Sequence, residues 1–236
     1  MKKYDHVMHE LMASRVLWIR NDQVVFAFYE GISEDIIRCL PSKVEKRWFR
    51  MNQLFDLSET KNTTPAFLYI IKLNTIDRIF RGSCYEHYII CSICNEIASE
   101  VLFAHEEAHM FAKSRWGAHS PFVNEGLAEY IAAKTNEDMN FMNHAEKYIV
   151  PKKLSMDLRK LEKLICCSDH SKLLEHLKNG EFTYQMAGSL FFFIESQVGI
   201  SRLDYMLGLP GSKNECRFYE AANKWLAQWL YWLRDL

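Results

Sequence analysis

Val101-Leu-Phe-Ala-His105-Glu106-Glu107-Ala-His109-Met-Phe-Ala112 is the stretch that decides the fold expected of this chain. Apart from His105, Glu106, Glu107 and His109, the residues of this stretch are apolar, which predicts a helix that is buried on most sides. Residues four apart on a helix lie on one face, so His105 and His109 can present two imidazole nitrogens to one metal ion. Imidazoles and carboxylates in a buried helix are costly unless they are paired or bind a metal. The stretch therefore predicts a functional metal site.

Glu106 follows the first histidine and lies about 100° around the helix from it. From there its carboxylate can reach a water molecule bound to the same metal ion. The pattern His-Glu-x-x-His on a helix is the arrangement of zinc hydrolases, in which the glutamate is the general base. We therefore expect Zn²⁺ as the cofactor, His105 and His109 as two of its ligands, and Glu106 as a catalytic residue.

A catalytic zinc site takes three protein ligands and keeps one position open, so a third ligand must come from outside this helix. Three nearby residues have suitable side chains: His119, Glu125 and Glu129. His119 falls in a predicted turn, where a solvent-exposed histidine is the alternative. Glu125 falls in the next predicted helix, one helical hairpin away, and can point back at the histidine pair. We predict Glu125 as the third ligand.

Glu129 lies one turn beyond Glu125 on the same helix face. We expect it to accept a hydrogen bond from the free ring nitrogen of a metal-bound histidine, and the alternative is a solvated helix carboxylate. A metzincin site is excluded, because Arg115 and Ala112 occupy the positions of its third histidine and its glycine.

The histidine motif followed by Asn124-Glu125-Gly-Leu-Ala-Glu-Tyr130 resembles the gluzincin metallopeptidases, in particular the peptidase MA-like domains related to the zinc aminopeptidases. The combined motif covers about residues 101–130. The resemblance implies that Glu125 is the third zinc ligand and that Glu106 is the general base. Asn124, the first residue of the second motif, is expected to support the ligands together with Glu129.

The same family carries a tyrosine on a later helix that hydrogen-bonds the developing oxyanion. The segment Thr183-Tyr184-Gln-Met-Ala-Gly-Ser-Leu190 is similar to that part of the family. The resemblance therefore implies Tyr184 as a second catalytic residue. The alternative is a tyrosine of the core or of a groove, without a role in catalysis.

The specificity of such a site is indicated by a segment that this chain lacks. The aminopeptidases bind the amino terminus of the substrate with a Gly-x-Met-Glu-Asn segment, and nothing like it precedes His105. The predicted function is zinc-dependent peptide-bond hydrolysis by an endopeptidase, with a peptide or protein as the substrate. The alternative is a catalytically silent, zinc-bound protein that acts as a binding or regulatory module.

Composition narrows the class of protein further. The chain has 236 residues, of which 49% are hydrophobic, enough to bury a substantial core. Its 29 basic and 30 acidic residues are balanced, so we expect neither a nucleic-acid nor a membrane partner. Seven cysteines, no visible signal peptide and no apolar run of about 18 residues lead us to expect a cytoplasmic protein with reduced thiols and no transmembrane helix.

The expected fold class is α+β and zincin-like. It comprises a small N-terminal α/β lobe with a mixed sheet, a central helix that carries the motif, and an all-α C-terminal lobe, as one domain over 1–236 divided near residue 115. Strands are predicted at 23–29, 66–72 and 87–93. Residues 4–20 are predicted as a short amphipathic helix, and a strand near 16–19 is the alternative. The strand at 87–93 is expected at the sheet edge, where a peptide could pair with it.

Helices are predicted from capping and turn signals as well as from periodicity. Ser33 is expected to cap a helix that runs to Phe55 and breaks near Pro41. Ser120-Pro121 is a strong start signal for the helix that carries Glu125. The predicted helices from there on are 121–134, 140–149, 153–165, 170–178, 183–197 and 214–234.

Overall fold

The computed structural model describes residues 9–12, 14–21, 23–55, 66–73, 81–93, 100–117, 119–135, 158–179, 183–208 and 216–235. Within these ranges the chain forms an α+β fold. The strands are β1 (Val16–Asn21), β2 (Val24–Tyr29), β3 (Phe67–Leu73), β4 (Arg81–Cys84) and β5 (Tyr88–Ile93). The helices are α1 (Glu34–Leu54), α2 (Glu100–Trp116), α3 (Pro121–Thr135), α4 (Leu158–Ile165), α5 (His170–Lys178), α6 (Tyr184–Val198), α7 (Ile200–Leu207) and α8 (Cys216–Asp235).

The five strands form one mixed sheet in the order β1-β2-β3-β5-β4. The three central strands β2, β3 and β5 run parallel, and each outer strand is antiparallel to its neighbour. The first five residues of β3 are all buried, as expected of a parallel strand that is covered on both faces. The predicted mixed sheet is confirmed, and residues 16–19 belong to a strand.

The edge of the sheet differs from the prediction. The strand predicted at 87–93 is present as β5, but it pairs with β3 on one side and with β4 on the other, so its expected position at the edge is wrong. The edge is β4, a strand of only four residues that the sequence did not predict. Gly82 lies inside β4. Because glycine weakens a strand, the local sequence does not predict one here.

Helix α1 begins and ends as its sequence predicts. The Ser33 hydroxyl accepts a hydrogen bond from the backbone amide of Ile36, and the helix ends at Leu54. The predicted break at Pro41 is wrong, because the helix continues through it. Burial of one continuous helix face outweighs the hydrogen bond that proline removes. That face consists of Leu40, Val44, Trp48 and Met51.

The motif helix α2 lies at the centre of the fold. It packs against α1, β4, β5 and α3, and α3 in turn packs against α6. Its side chains Phe103, Ala104, Ala108 and Met110 are buried, as its apolar composition predicts. Helix α2 therefore joins the sheet to the helices that follow it.

The C-terminal helices agree with the prediction at α3, α5, α6 and α8. The helix predicted at 153–165 is described from residue 158 onward as α4, and the one predicted at 140–149 lies outside the described residues. Helix α7 was not predicted, although its apolar residues recur at helical spacing. Gly199, at a φ of 77°, ends α6, and α7 has only eight residues. No helix in the described ranges is long and apolar enough to cross a membrane.

A cluster of polar side chains ties the end of α2 to α7. Arg115 donates two hydrogen bonds to the Asp204 carboxylate, at 2.9 and 2.7 Å, and the Trp116 indole donates a third at 2.8 Å. Bidentate arginine–carboxylate pairs have a fixed orientation. The cluster therefore fixes the C-terminal end of the motif helix.

The aromatic contacts of α1 lead to a stability prediction. Trp48 is 1% exposed and its ring lies 5.8 Å from that of Phe67 and 5.6 Å from that of Phe111. We expect Trp48→Ala to lower the free energy of unfolding by about 3–5 kcal/mol, through lost burial and the cavity left behind. Urea denaturation followed by circular dichroism measures this loss.

The neighbouring residue provides a matched control. Phe49 lies on the same helix but is 54% exposed, so Phe49→Ala should change the free energy of unfolding by less than about 0.5 kcal/mol. Equal losses in the two variants would contradict the placement of α1 against the sheet and α2.

Candidate metal centre

The three predicted ligands come together where α2 packs on α3. The Nε2 atoms of His105 and His109 are 3.0 Å apart. The Glu125 Oε2 atom lies 3.3 Å from Nε2 of His105 and 3.5 Å from Nε2 of His109. Helical spacing aligns the two imidazoles, and the α2–α3 hairpin brings the carboxylate to them. The three atoms form a nearly equilateral triangle.

The size and chemistry of this triangle fit zinc. Zinc bonds to nitrogen and oxygen are about 2.0–2.1 Å long, so two ligand atoms of a tetrahedral site lie about 3.3–3.4 Å apart. The observed distances of 3.0, 3.3 and 3.5 Å lie close to that value. Two histidines and one glutamate form a donor set that catalytic zinc sites use, with a fourth position left for water or substrate. The residues present therefore fit the metal predicted from the sequence.

Glu129 lies against the other side of the first histidine. Its Oε1 atom is 3.1 Å from Nδ1 of His105, and the residue is 7% exposed. The alternative of a solvated helix carboxylate is therefore wrong. A carboxylate at Nδ1 fixes the ring orientation and the tautomer that leaves Nε2 free to bind a metal.

Electrostatics at the site favour positive charge. Burial alone would lower the pKa of His105, but its hydrogen bonds with Glu125 and Glu129 outweigh burial and raise that pKa to about 10. Burial likewise opposes the charge on Glu125, but the two histidines outweigh it and hold the pKa of this carboxyl far below its ordinary value. The carboxylates that stabilise a proton on His105 would also stabilise a divalent cation.

The Glu106 carboxylate lies beside the triangle and is 5% exposed. Burial raises its pKa, and the nearby charges of His105 and His109 oppose that rise. Its Oε2 atom is buried without a hydrogen-bond partner among the described residues. A buried acceptor without a partner is costly, and this oxygen remains available to accept a hydrogen bond.

Gly82 of the edge strand passes directly against Glu106. A Cβ atom at this position would overlap the glutamate carboxylate, so only glycine fits without a shift of one of the two. No local pattern in the sequence indicates this contact. A glycine within a strand is nevertheless a known sign of close approach by another group.

Tyr184 begins α6 and stands over the first histidine. Its ring is partly buried and lies 6.3 Å from the His105 ring, at an interplanar angle of 26°. Burial and then the carboxylates of Glu125 and Glu129 raise the pKa of Tyr184 to about 12. Its hydroxyl therefore keeps its proton at neutral pH and can donate a hydrogen bond. The structure thus places this candidate at the predicted site.

The connection between α2 and α3 is closed by Asn124. Its Nδ2 donates to the His119 carbonyl at 2.9 Å, and its Oδ1 accepts from the His119 amide at 3.2 Å. Asn124 therefore fixes the loop before Glu125, and these bonds do not involve a ligand ring. Ser120 caps the helix as predicted, accepting a hydrogen bond from the amide of Val123.

His119 does not join the cluster of ligand atoms. Its Nε2 is buried and has no hydrogen-bond partner in the described part of the chain, and burial lowers its pKa. The alternative of a solvent-exposed loop histidine is therefore wrong, although the choice of Glu125 over His119 agrees with the geometry.

Glu107, inside the motif, has partners that the sequence did not indicate. It is 0% exposed. Arg47 of α1 donates from Nε to its Oε2 at 2.8 Å and from Nη2 to its Oε1 at 2.6 Å. The Tyr69 hydroxyl of β3 donates to Oε1 at 3.2 Å. Arg47 is 60 residues away along the chain, so no local pattern could have paired it with the motif.

Comparison with known proteins adds no family to this picture. No protein-family model matches the chain, and no curated protein matches it. What the chain does must therefore be inferred from the motif residues and from the arrangement of their side chains.

Proposed function

We propose that this chain is a zinc metallopeptidase of the gluzincin type that cleaves peptide bonds within a chain. The observation that carries the proposal is the triangle of His105, His109 and Glu125 ligand atoms beside the buried Glu106 carboxylate. A mixed sheet before the motif helix and helices after it support a zincin-like arrangement.

Each residue of the site would have a separate role in peptide-bond hydrolysis. His105, His109 and Glu125 would hold Zn²⁺, which when bound polarises the scissile carbonyl and acidifies the attacking water. Glu106 accepts a proton from that water, and its raised pKa suits it to pass the proton to the leaving amine. The Tyr184 hydroxyl donates a hydrogen bond to the developing oxyanion.

The edge strand suggests where the substrate lies. Within the described part of the chain, β4 pairs with β5 on one side and has no strand on the other, and Gly82 of β4 touches the Glu106 carboxylate. An extended peptide that added a strand to the open side of β4 would therefore run past the proposed base. The lack of a Gly-x-Met-Glu-Asn segment before His105 supports cleavage inside a chain over removal of single amino-terminal residues.

Metal content is the first expected outcome. After dialysis against chelator-free buffer, elemental analysis should find about one zinc ion per chain. Glu125→Gln should weaken zinc binding by at least about tenfold, because it removes the charged ligand. Glu195→Gln is the matched control, since Glu195 pairs with Lys134 away from the triangle and should retain zinc. Absence of zinc from the unaltered chain, even after zinc is added back, would contradict the proposed centre.

Hydrolysis is the second expected outcome. The unaltered chain should cleave internally quenched peptides that are acetylated at one end and amidated at the other. Glu106→Gln should keep its zinc and lose about 10²–10⁴-fold in kcat/KM, because proton transfer is removed while the ligands remain. Full activity in this variant would rule out Glu106 as the base. A zinc-loaded chain that cleaves no member of a broad peptide library would favour the silent binding module.

The contact between Gly82 and Glu106 gives a third outcome. Gly82→Ala should retain zinc but lose about 10²-fold in kcat, because the added methyl group displaces the Glu106 carboxylate. Ser83→Ala alters the next residue of the strand, which is exposed, and should keep normal activity. Equal activity in the two variants would show that the position of the carboxylate does not depend on Gly82.

A further inference from the structure

We propose that Arg47, acting through Glu107, sets the rotation of α2 about its axis. This rotation orients His105, His109 and Glu106 toward the proposed metal ion and substrate. Arg47 and Glu107 are then positioning residues, which touch neither group. The inference rests on the proposed metal centre. It gives a role to a buried charge that the proposed mechanism does not use.

Helical geometry places the ion pair opposite the ligands. Glu107 is two residues from each histidine, which puts it about 160° around the helix axis from both. Arg47 therefore holds the far side of α2, while the ligands lie on the near side. A rotation of α2 about its axis would move Glu107 and the ligand atoms together. A contact that fixes Glu107 therefore also fixes the ligand atoms.

The stripe of small residues on α2 does not by itself fix this rotation. The small residues Ala104, Ala108 and Ala112 repeat every four positions along α2 and are all buried. Burial of apolar surface has no preferred direction, so a stripe of methyl side chains does not select one angle about the helix axis. A directional contact selects one rotation. The Arg115–Asp204 cluster provides one at the C-terminal end of α2, and Glu107 is the residue that provides one between the two histidines.

The ion pair provides that direction. Two hydrogen bonds of 2.8 and 2.6 Å fix the plane of the Arg47 guanidinium against the Glu107 carboxylate. The Tyr69 hydroxyl adds a third bond of 3.2 Å from the sheet. Glu107 is thus held from α1 and from β3 at once, and these two elements define one orientation of α2.

The accuracy with which the ligand atoms must be placed explains why the Arg47–Glu107 ion pair is useful. Side-chain atoms lie about 5.5 Å from a helix axis, so a rotation of about 10° moves them by about 1 Å. A productive site has to be held within about 0.5 Å and 10–20°. For stability alone, an apolar pair of similar volume would serve as well as a buried ion pair.

The test separates positioning from stability. Arg47→Met combined with Glu107→Met replaces the pair by apolar side chains of similar size, and Arg47→Lys keeps the charge but loses the two-pronged contact. Arg50→Met is the matched control, because Arg50 lies on the same helix and donates to the carbonyl of Thr135 on α3 instead. Each variant is loaded with Co²⁺, whose visible absorption reports ligand geometry without any need for turnover. Chelator competition gives the metal affinity, and thermal unfolding gives the stability.

The expected result is a loss of site geometry that does not follow stability. The double variant should fold, bind Co²⁺ at least about tenfold more weakly and show a changed visible spectrum, and Arg47→Lys should shift in the same direction. Arg50→Met should keep the unaltered spectrum and affinity.

Two outcomes would count against the inference in different ways. Unaltered Co²⁺ affinity and spectrum in the double variant would overturn it and leave the ion pair a purely structural contact. If the double variant does not fold, the same unaltered result in Arg47→Lys overturns it equally. If the unaltered chain itself binds neither Co²⁺ nor Zn²⁺, the result contradicts the proposed metal centre, on which the inference rests. Loss of metal binding in the variants then says nothing about Arg47 and Glu107.

Discussion

The structure depends on how one buried helix accommodates its charged side chains. Helix α2 carries His105, Glu106, Glu107 and His109 in the middle of an otherwise apolar surface. Each of these groups loses water on burial, and that loss must be offset by a partner. Three of them find partners on α3, α1 or β3, and the Oε2 of Glu106 has none among the described residues. The exception is the group that the proposed function assigns as the general base.

The surrounding elements are arranged to meet that constraint from two sides. Helix α3 offers the Glu125 and Glu129 carboxylates to the histidines, and its start is fixed by capping and by Asn124. On the opposite side, α1 and β3 offer Arg47 and Tyr69 to the remaining carboxylate. The site is thus held by contacts on both faces of α2, which is what accurate alignment would require in the proposed metal centre.

Much of the fold was predictable because its signals are local. Runs of β-branched and aromatic residues identified β2, β3 and β5, and the hydroxyl of Ser33 identified the start of α1. The errors arose where tertiary packing overrides local preference. Burial of one face carries α1 through Pro41, pairing with β5 makes a strand of four residues around Gly82, and the position of β5 depends on that pairing.

By itself the sequence determined the side chains that are grouped by helical periodicity. The histidine pair, the adjacent glutamate and the choice of Glu125 in the next helix follow from spacings within about one hairpin. Only the tertiary structure brought Arg47 to Glu107 across 60 residues and Gly82 to the Glu106 carboxylate. Contacts of this kind leave no periodic trace in the sequence, because they depend on how separate elements pack and not on the spacing within any one of them.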